Sequence, residues 1–226
     1  MKYKEGDFGY WWTISKGNDD IEGEVYVGDI DCIENGLTSL RGSPEETTGY
    51  LDIRDNELTN LEYAPKKVLE LYISGNQLSS LKNIPYSKGT IQCSWNPLSK
   101  PDSLVGLQNE VEGLILSYCD LISTKGISKK ISGELNLSDN QLEEFGQGDV
   151  EKADFIDIAS NQFKSAASIP PCDGIDAGDN PNRYLEDEYK FRKENPNLSE
   201  VEIQNEMFKK TKDRIYLSKE TNSLFM

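Results

Sequence analysis

The chain has 226 residues, 36% of them hydrophobic, and sets 40 Asp and Glu against 24 Lys and Arg, a net charge of −16 with no histidine. That surplus of carboxylates disfavours direct binding to nucleic acid or to an anionic membrane, since neutralising phosphate takes patches of Lys and Arg. The absence of histidine removes Ser-His-Asp and Cys-His constellations, His-containing zinc sites and the usual general base near neutral pH.

Residues 1–29 begin MKYKEGDFGYWW, without the apolar core of a signal peptide, and nowhere does the chain offer the roughly 18 consecutive apolar residues of a membrane span. A cytoplasmic location is expected. Phe8, Tyr10, Trp12 and Ile14 alternate, Gly17 and Asn18 supply turn chemistry, and Val25 with Val27 resumes the alternation. This pattern predicts a β-hairpin cap, with Trp11 and Trp12 on opposite faces of one strand.

From residue 30 the chain repeats itself. YLDIRDNELTNLEYAP (50–65) and ELYISGNQLSSLKNIP (70–85) are one unit written twice, matching at Leu51/Leu71, Ile53/Ile73, Asn56/Asn76, Leu58/Leu78, Leu61/Leu81 and Pro65/Pro85. Extended in both directions, the Asn position becomes Asn35, Asn56, Asn76, Asn96, Cys119, Asn140, Asn161 and Asn180, in steps of 19 to 23 residues. Apolar pairs stand five and three residues before it, as at Leu114/Leu116 and Ile156/Ile158. Alternation of period two gives each copy a short strand with one buried face, and the Asn at its end can bond backbone groups of the turn. A fixed period near twenty predicts a solenoid in which each copy contacts its neighbours and both ends need caps. Pro44, Pro65, Pro85 and Pro170 each lie nine residues after their Asn, which suits an irregular return segment without helix. Pro101 stands where a Leu belongs, and the step to Cys119 is long, so a bulged loop is expected there.

After Asn180 the pattern stops. RYLEDEYKFRKEN (183–195) reads as a polar helix ending before Pro196. Ser199 and Glu202 form a capping box that starts a second helix through about Asp213, with Val201, Ile203, Met207 and Phe208 as its partly apolar residues. These helices are expected to cap the last repeat, with a partner-binding tail as the alternative, and residues 214–226 either pack back or stay loose. The division is therefore 1–29 for the N-terminal β cap, 30–182 for the solenoid and 183–226 for the C-terminal helical cap or tail. Cys32 and Cys93 fall on core strand positions, and no pair of the four cysteines has zinc or redox spacing, so all read as buried free thiols in a reducing compartment.

The signature L-x-L-x-x-N/C-x-L, matched by Leu51 to Leu58 and Leu71 to Leu78, resembles that of leucine-rich repeat proteins and accommodates Cys119 in the ladder. The N-x-L-x-x-L-x-x-x-P rhythm looks like the short bacterial and phage class, and GDIDCIENGLTSLRGSP (28–44) looks like repeat proteins of large tailed bacteriophages. The resemblance implies a β-rich solenoid of about eight copies, and a host-cytoplasmic or virion setting if the chain is phage-encoded. Secreted bacterial effectors are the next neighbour, but the ubiquitin-ligase domain that some of them carry has no counterpart here.

No P-loop, G-x-G-x-x-G or EF-hand loop is present, and the adjacent carboxylate pairs read as solvated, so no enzyme, cofactor or metal is predicted. Function then falls on the exposed side of the sheet. Four residues before the Asn the copies carry Asp31, Asp52, Tyr72, Gln92, Ile115, Asn136, Asp157 and Asp176; one before it they carry Glu34, Asp55, Gly75, Trp95, Tyr118, Asp139, Ser160 and Asp179. Apolar groups gather in the middle copies and carboxylates at both ends, the anatomy of a protein interface. The predicted partner-binding set is Tyr72, Trp95, Ile115 and Tyr118 as one patch, with Asp52, Asp55, Asp139 and Asp157 on the rim. The expected function is a non-enzymatic module that inhibits or redirects a host or viral protein through a concave sheet, with a basic surface expected on the partner. A virion accessory subunit and an acidic nucleic-acid mimic are the alternatives; neither direct nucleic-acid binding nor a membrane is expected.

Overall fold

The structure is a computed structural model and describes residues 2–17 and 20–210. Helix α1 (Phe8–Lys16) opens it, followed by strands β1 (Val25–Tyr26), β2 (Ile30–Asp31), β3 (Glu46–Thr47), β4 (Leu51–Asp52), β5 (Lys67–Val68) and β6 (Leu71–Tyr72). Then come β7 (Tyr86–Ser87), β8 (Thr90–Gln92), β9 (Glu110–Val111), β10 (Gly113–Ile115) and β11 (Lys130–Asn136). Strands β12 (Lys152–Asp157) and β13 (Gly174–Asp176) and helix α2 (Leu185–Glu194) complete the sequence of elements.

Strands β2, β4, β6, β8, β10, β11, β12 and β13 lie side by side in that order in one long parallel sheet, one strand for each copy of the repeat. Equivalent residues pair across it: Leu51 with Leu71, Leu71 with Ile91, Leu114 with Leu135, Leu135 with Ile156. We number the rungs 1 to 8 from Asn35 to Asn180. The pair five and three residues before each ladder residue points inward, and from rung 1 to rung 7 those side chains are at most 1% exposed, as are Leu37, Leu58, Leu78, Leu98, Leu121, Leu142 and Phe163 from the far side. Burying such a side chain stabilises by roughly 1.5–3 kcal/mol, so the core runs unbroken along the solenoid.

The return side is more ordered than the sequence suggested. After Pro44, Pro65 and Pro85 the chain pairs for two residues at a time, giving a small parallel sheet in the order β1-β3-β5-β7. Proline holds its own φ in the extended range, and stacked copies bring the following residues into register. Thr47, Val68 and Ser87 point inward from this sheet. The expected bulge is present at residues 99–107. Leu104 fills the core in place of the missing Leu, and Ser103 donates to the Leu98 carbonyl at 2.7 Å.

The ladder asparagines reach back to the preceding rung as well as to their own turn. Asn76 accepts from the Leu58 amide at 3.0 Å and donates to the Ile53 carbonyl at 3.0 Å and the Ile73 carbonyl at 3.1 Å. Asn140 accepts from the amides of Cys119 and Leu121 and donates to Leu116, Leu137 and Ser138. Each side chain therefore ties two rungs together. Asn35, with no rung before it, is exposed and donates to the Ile33 carbonyl. At Cys119 the thiol supplies the donor, to Cys93 carbonyl at 3.3 Å, and the Leu98 amide turns instead to the Cys119 and Asn96 carbonyls. All four cysteines are buried and unpaired by disulfides. Burial pushes the Cys119 thiol up to about 12 and that of Cys93 well above the ordinary range.

The N-terminal cap corrects one expectation: Phe8–Lys16 is helix, not the first arm of a hairpin. The alternation Phe8, Tyr10, Trp12, Ile14 also contains the helical spacing Phe8, Trp11, Trp12, and tertiary packing selects it. Phe8 and Trp12 are buried, and rings of Phe8, Trp11, Trp12 and Tyr26 meet at 5.1–6.0 Å. The lid lies on rung 1, where Phe8 and Gly9 donate to the Ser39 and Arg41 carbonyls. Gly9 and Gly42 let the two backbones touch; a Cβ on Gly42 would stand 2.7 Å from the Gly9 Cα. Val25 pairs in parallel with Glu46 on the return side. Asn18, half of the expected turn, lies outside the described residues.

At the other end α2 ends before Pro196 as expected, and residues 200–210 are helical. The capping box forms: Ser199 amide and hydroxyl donate to the Glu202 carboxylate at 2.8 and 2.6 Å. Glu188 fixes α2 to rung 7. Its carboxylate is 4% exposed and accepts from the Ser165 hydroxyl, the Ala166 amide, Asn182 and Arg192. Ile203 and Met207 are buried, whereas Val201 and Phe208 stay exposed. The expected end of this helix near Asp213 and the segment 214–226 lie outside the described residues.

Candidate partner-binding face

Along each strand the residues six, four and two before the ladder residue point away from the core, and the residue one before it turns out at the sheet's edge. Across these four columns the eight rungs carry eleven acidic side chains and one basic one, Arg54. In the whole chain the ratio is 40 to 24, so this face concentrates the negative charge. The return side holds lysines in surface pairs between rungs, Lys66 with Glu45 at 2.5 Å and Lys130 with Glu110 at 3.0 Å. Exposed pairs of this kind add little stability, and what matters here is that the cations sit on the opposite side.

The edge column has a backbone of its own. Glu34, Asp55, Trp95, Tyr118, Asp139, Ser160 and Asp179 all have φ between 54° and 58°, and Gly75 has 68°. This left-handed conformation lets the strand end and the next residue turn its side chain into the ladder. Glycine, Asn and Asp tolerate it; for most side chains it costs roughly 1–2 kcal/mol. Trp95 and Tyr118 are therefore expensive choices for the backbone. They are also 61% and 46% exposed. Their rings lie face to face, centroids 4.1 Å apart and planes 6° from parallel. The Asp139 carboxylate beside the Tyr118 hydroxyl holds that phenol above its ordinary value. Three of the predicted residues, Trp95, Tyr118 and Asp139, thus stand together as consecutive members of one edge.

The other predicted residues are arranged differently. Tyr72 belongs to a second group: its ring meets Tyr50 at 6.0 Å, the Arg54 guanidinium lies 5.6 Å from its centroid, and its hydroxyl donates to Glu70 at 2.5 Å. That bond, with burial, pushes its phenol up to about 12. Ile115 is half-buried between Gln92 and Asn136 in neighbouring strands. Asp52 is 4% exposed and is gripped by Arg54 through three bonds of 2.6–3.1 Å. Asp55 is exposed and Asp157 half-buried.

A local role explains most polar residues of the second column. Asp31, Asp52, Asn136, Asp157 and Asp176 each accept, through Oδ1, from the amide two residues on, at 3.0–3.4 Å. These Asx turns end the strand. Asp157 also receives the Asn136 amide at 3.1 Å, and burial, with Asp176 and Glu134 nearby, raises its pKa. Tyr72, Gln92 and Ile115 make no such bond, so rungs 3 to 5 give up the turn-ending contact. Sequence reasoning missed Tyr50, Arg54 and the 40% exposed Phe155 six residues before Asn161. The period-two rule that found the column four before the ladder would have reached those six and two before it.

Among the described residues no group of three or more Cys, Asp or Glu side chains is placed to hold a metal ion, and no helix is long and apolar enough to cross a membrane. No protein-family model matches the chain. It is 30% identical over 95 residues to Protein NUD1 of Saccharomyces cerevisiae, which contains leucine-rich repeats; the match takes in 41% of this chain and 11% of that protein. One strand per copy, a stacked asparagine ladder and this match support a repeat of the leucine-rich type.

Proposed function

We propose that the chain is a non-catalytic protein-binding module and that the long sheet's exposed face, anchored at the Trp95–Tyr118 stack, is its interface. The observation that carries this reading is the cost of that stack: two bulky residues hold left-handed backbone at φ 58° and 54° while their rings remain in water. Strain kept at exposed residues is a mark of function, and exposed Trp and Tyr are the side chains that most often anchor interfaces. The carboxylates around them steer a basic partner and suppress acidic ones. An acidic nucleic-acid mimic would use the carboxylates and have no use for the rings. The resemblance to tailed-phage repeats makes a host or viral protein the partner to seek, and inhibition or redirection the expected consequence.

The test is differential capture. Immobilised chain and its Trp95→Gly variant are exposed to the same lysate, and a protein retained by the first and lost from the second is the partner. Equal retention of every protein by both baits would overturn the reading.

A further inference from the structure

Gly75 leaves a gap in the edge column, next to Trp95 and one rung before it. Rungs are about 4.8 Å apart, close to the 4.1 Å at which Trp95 and Tyr118 stack. The rung of Gly75 is thus the next step of that stack, and it carries no side chain of its own there. One face of the Trp95 ring is against Tyr118, and 61% of the residue remains exposed. From the far side the Asp55 carboxylate leans into the gap, where its Oδ1 stands 2.1 Å from the place a Cβ on Gly75 would take. Asp55 makes no side-chain hydrogen bond or ion pair among the described residues, the nearby Arg54 being bound to Asp52.

Resting on the interface reading above, we infer that the gap over Gly75 is a socket for an arginine side chain of the partner polypeptide. A guanidinium is planar, stacks on an aromatic face and pairs with carboxylate. Placed over Gly75 it continues the ring stack from Trp95, and its N–H groups point at Asp55. The cation fits the face, which holds eleven carboxylates and one guanidinium. A lysine ammonium has the charge and lacks the flat surface that the ring asks for.

The probe is the peptide acetyl-Gly-Gly-Arg-Gly-Gly-amide, titrated while the Trp95 indole N–H is followed by NMR. Two control peptides replace the arginine by citrulline, which keeps the planar shape without the charge, and by lysine. The arginine peptide is expected to shift the Trp95 signal with saturation and to bind at least about tenfold more tightly than either control. Gly75→Asn and Gly75→Ser fill the gap and displace the Asp55 carboxylate, at a position where seven other rungs carry side chains, Ser160 among them. Each is expected to weaken arginine binding at least about tenfold, Gly75→Asn with little change in melting temperature because Asn tolerates left-handed backbone, and Asp55→Asn to weaken it severalfold. Absence of a saturable shift, equal shifts from citrulline, or indifference to both Gly75 substitutions would overturn the assignment. If those results came with a partner still lost from the Trp95→Gly bait, the face would remain the interface and the socket alone would fall.

Discussion

Rungs 3 to 5 and the rungs on either side of them share one backbone and differ in what they ask of two columns. At the ends the residue four before the ladder is mostly Asp or Asn and closes an Asx turn, and the edge residue is mostly Asp. In the middle these places hold Tyr72, Gln92 and Ile115, then Gly75, Trp95 and Tyr118. Glycine apart, the middle residues do nothing for the turn, and two of them oppose it. The ladder asparagine beside them is constant from Asn56 to Asn180 except at Cys119. The difference separates what the solenoid needs from what it does not: end rungs serve the fold, and on the proposed reading the middle of the face serves a partner.

The sharpest way to establish the constant part is to break it. Asn76→Ala and Asn140→Ala each remove a side chain that bonds two rungs, leave buried amides and carbonyls unpaired, and are expected to lower stability by about 1–3 kcal/mol each in denaturant unfolding. Asn35→Ala removes an exposed side chain at the first rung and is expected to change stability by less than about 0.5 kcal/mol. Equal losses at all three would dissolve the distinction between interior and terminal rungs.

Tyr118→Ala addresses the added part. Calorimetry with the captured partner is expected to show binding weaker by at least about 2 kcal/mol, roughly 30-fold, because buried anchors carry most of an interface's energy. The melting temperature should hardly move, since the ring is outside the core.

The carboxylates should divide by their present duties. Asp55→Asn and Asp139→Asn, on the edge, are expected to slow association severalfold and lessen its salt dependence in stopped-flow measurements. Asp52→Asn leaves the Asx turn intact but gives up the charge held by Arg54, so its effect should fall on stability more than on association. Asp157 offers the smallest effect. Its folded pKa lies above the ordinary aspartate value, so the ionised form is the one the fold disfavours; the carboxylate costs stability at neutral pH, and that cost is relieved as pH falls through the folded pKa. A carboxyl-detected NMR titration should find its midpoint above those of the exposed aspartates.

What was legible in the sequence follows the same division. Leu71, Ile73, Asn76, Leu78 and Leu81 were legible because each copy asks the same thing of them, and eight repetitions make a period plain. Phe8 to Trp12 occurs once, and its short stretch fits alternation and helix equally until the rung beneath chooses. The Trp95–Tyr118 stack was half legible: the column was countable, and Gly75 with Asp55, Asp139 and Asp179 in it was a signal of left-handed backbone. The grouping of Tyr72 with Tyr50 and Arg54, away from Trp95, depends on side-chain directions that spacing does not fix. The two-residue strands after the prolines were hidden because so short a run has no period.

One variant, measured twice, tests the central claim most directly. Trp95→Gly relieves left-handed strain and removes the anchor, so the account predicts a gain in stability of about 1 kcal/mol by denaturant unfolding together with a loss of partner binding of at least about 2 kcal/mol. A variant that is less stable than the parent, or one that binds the partner as the parent does, would contradict it.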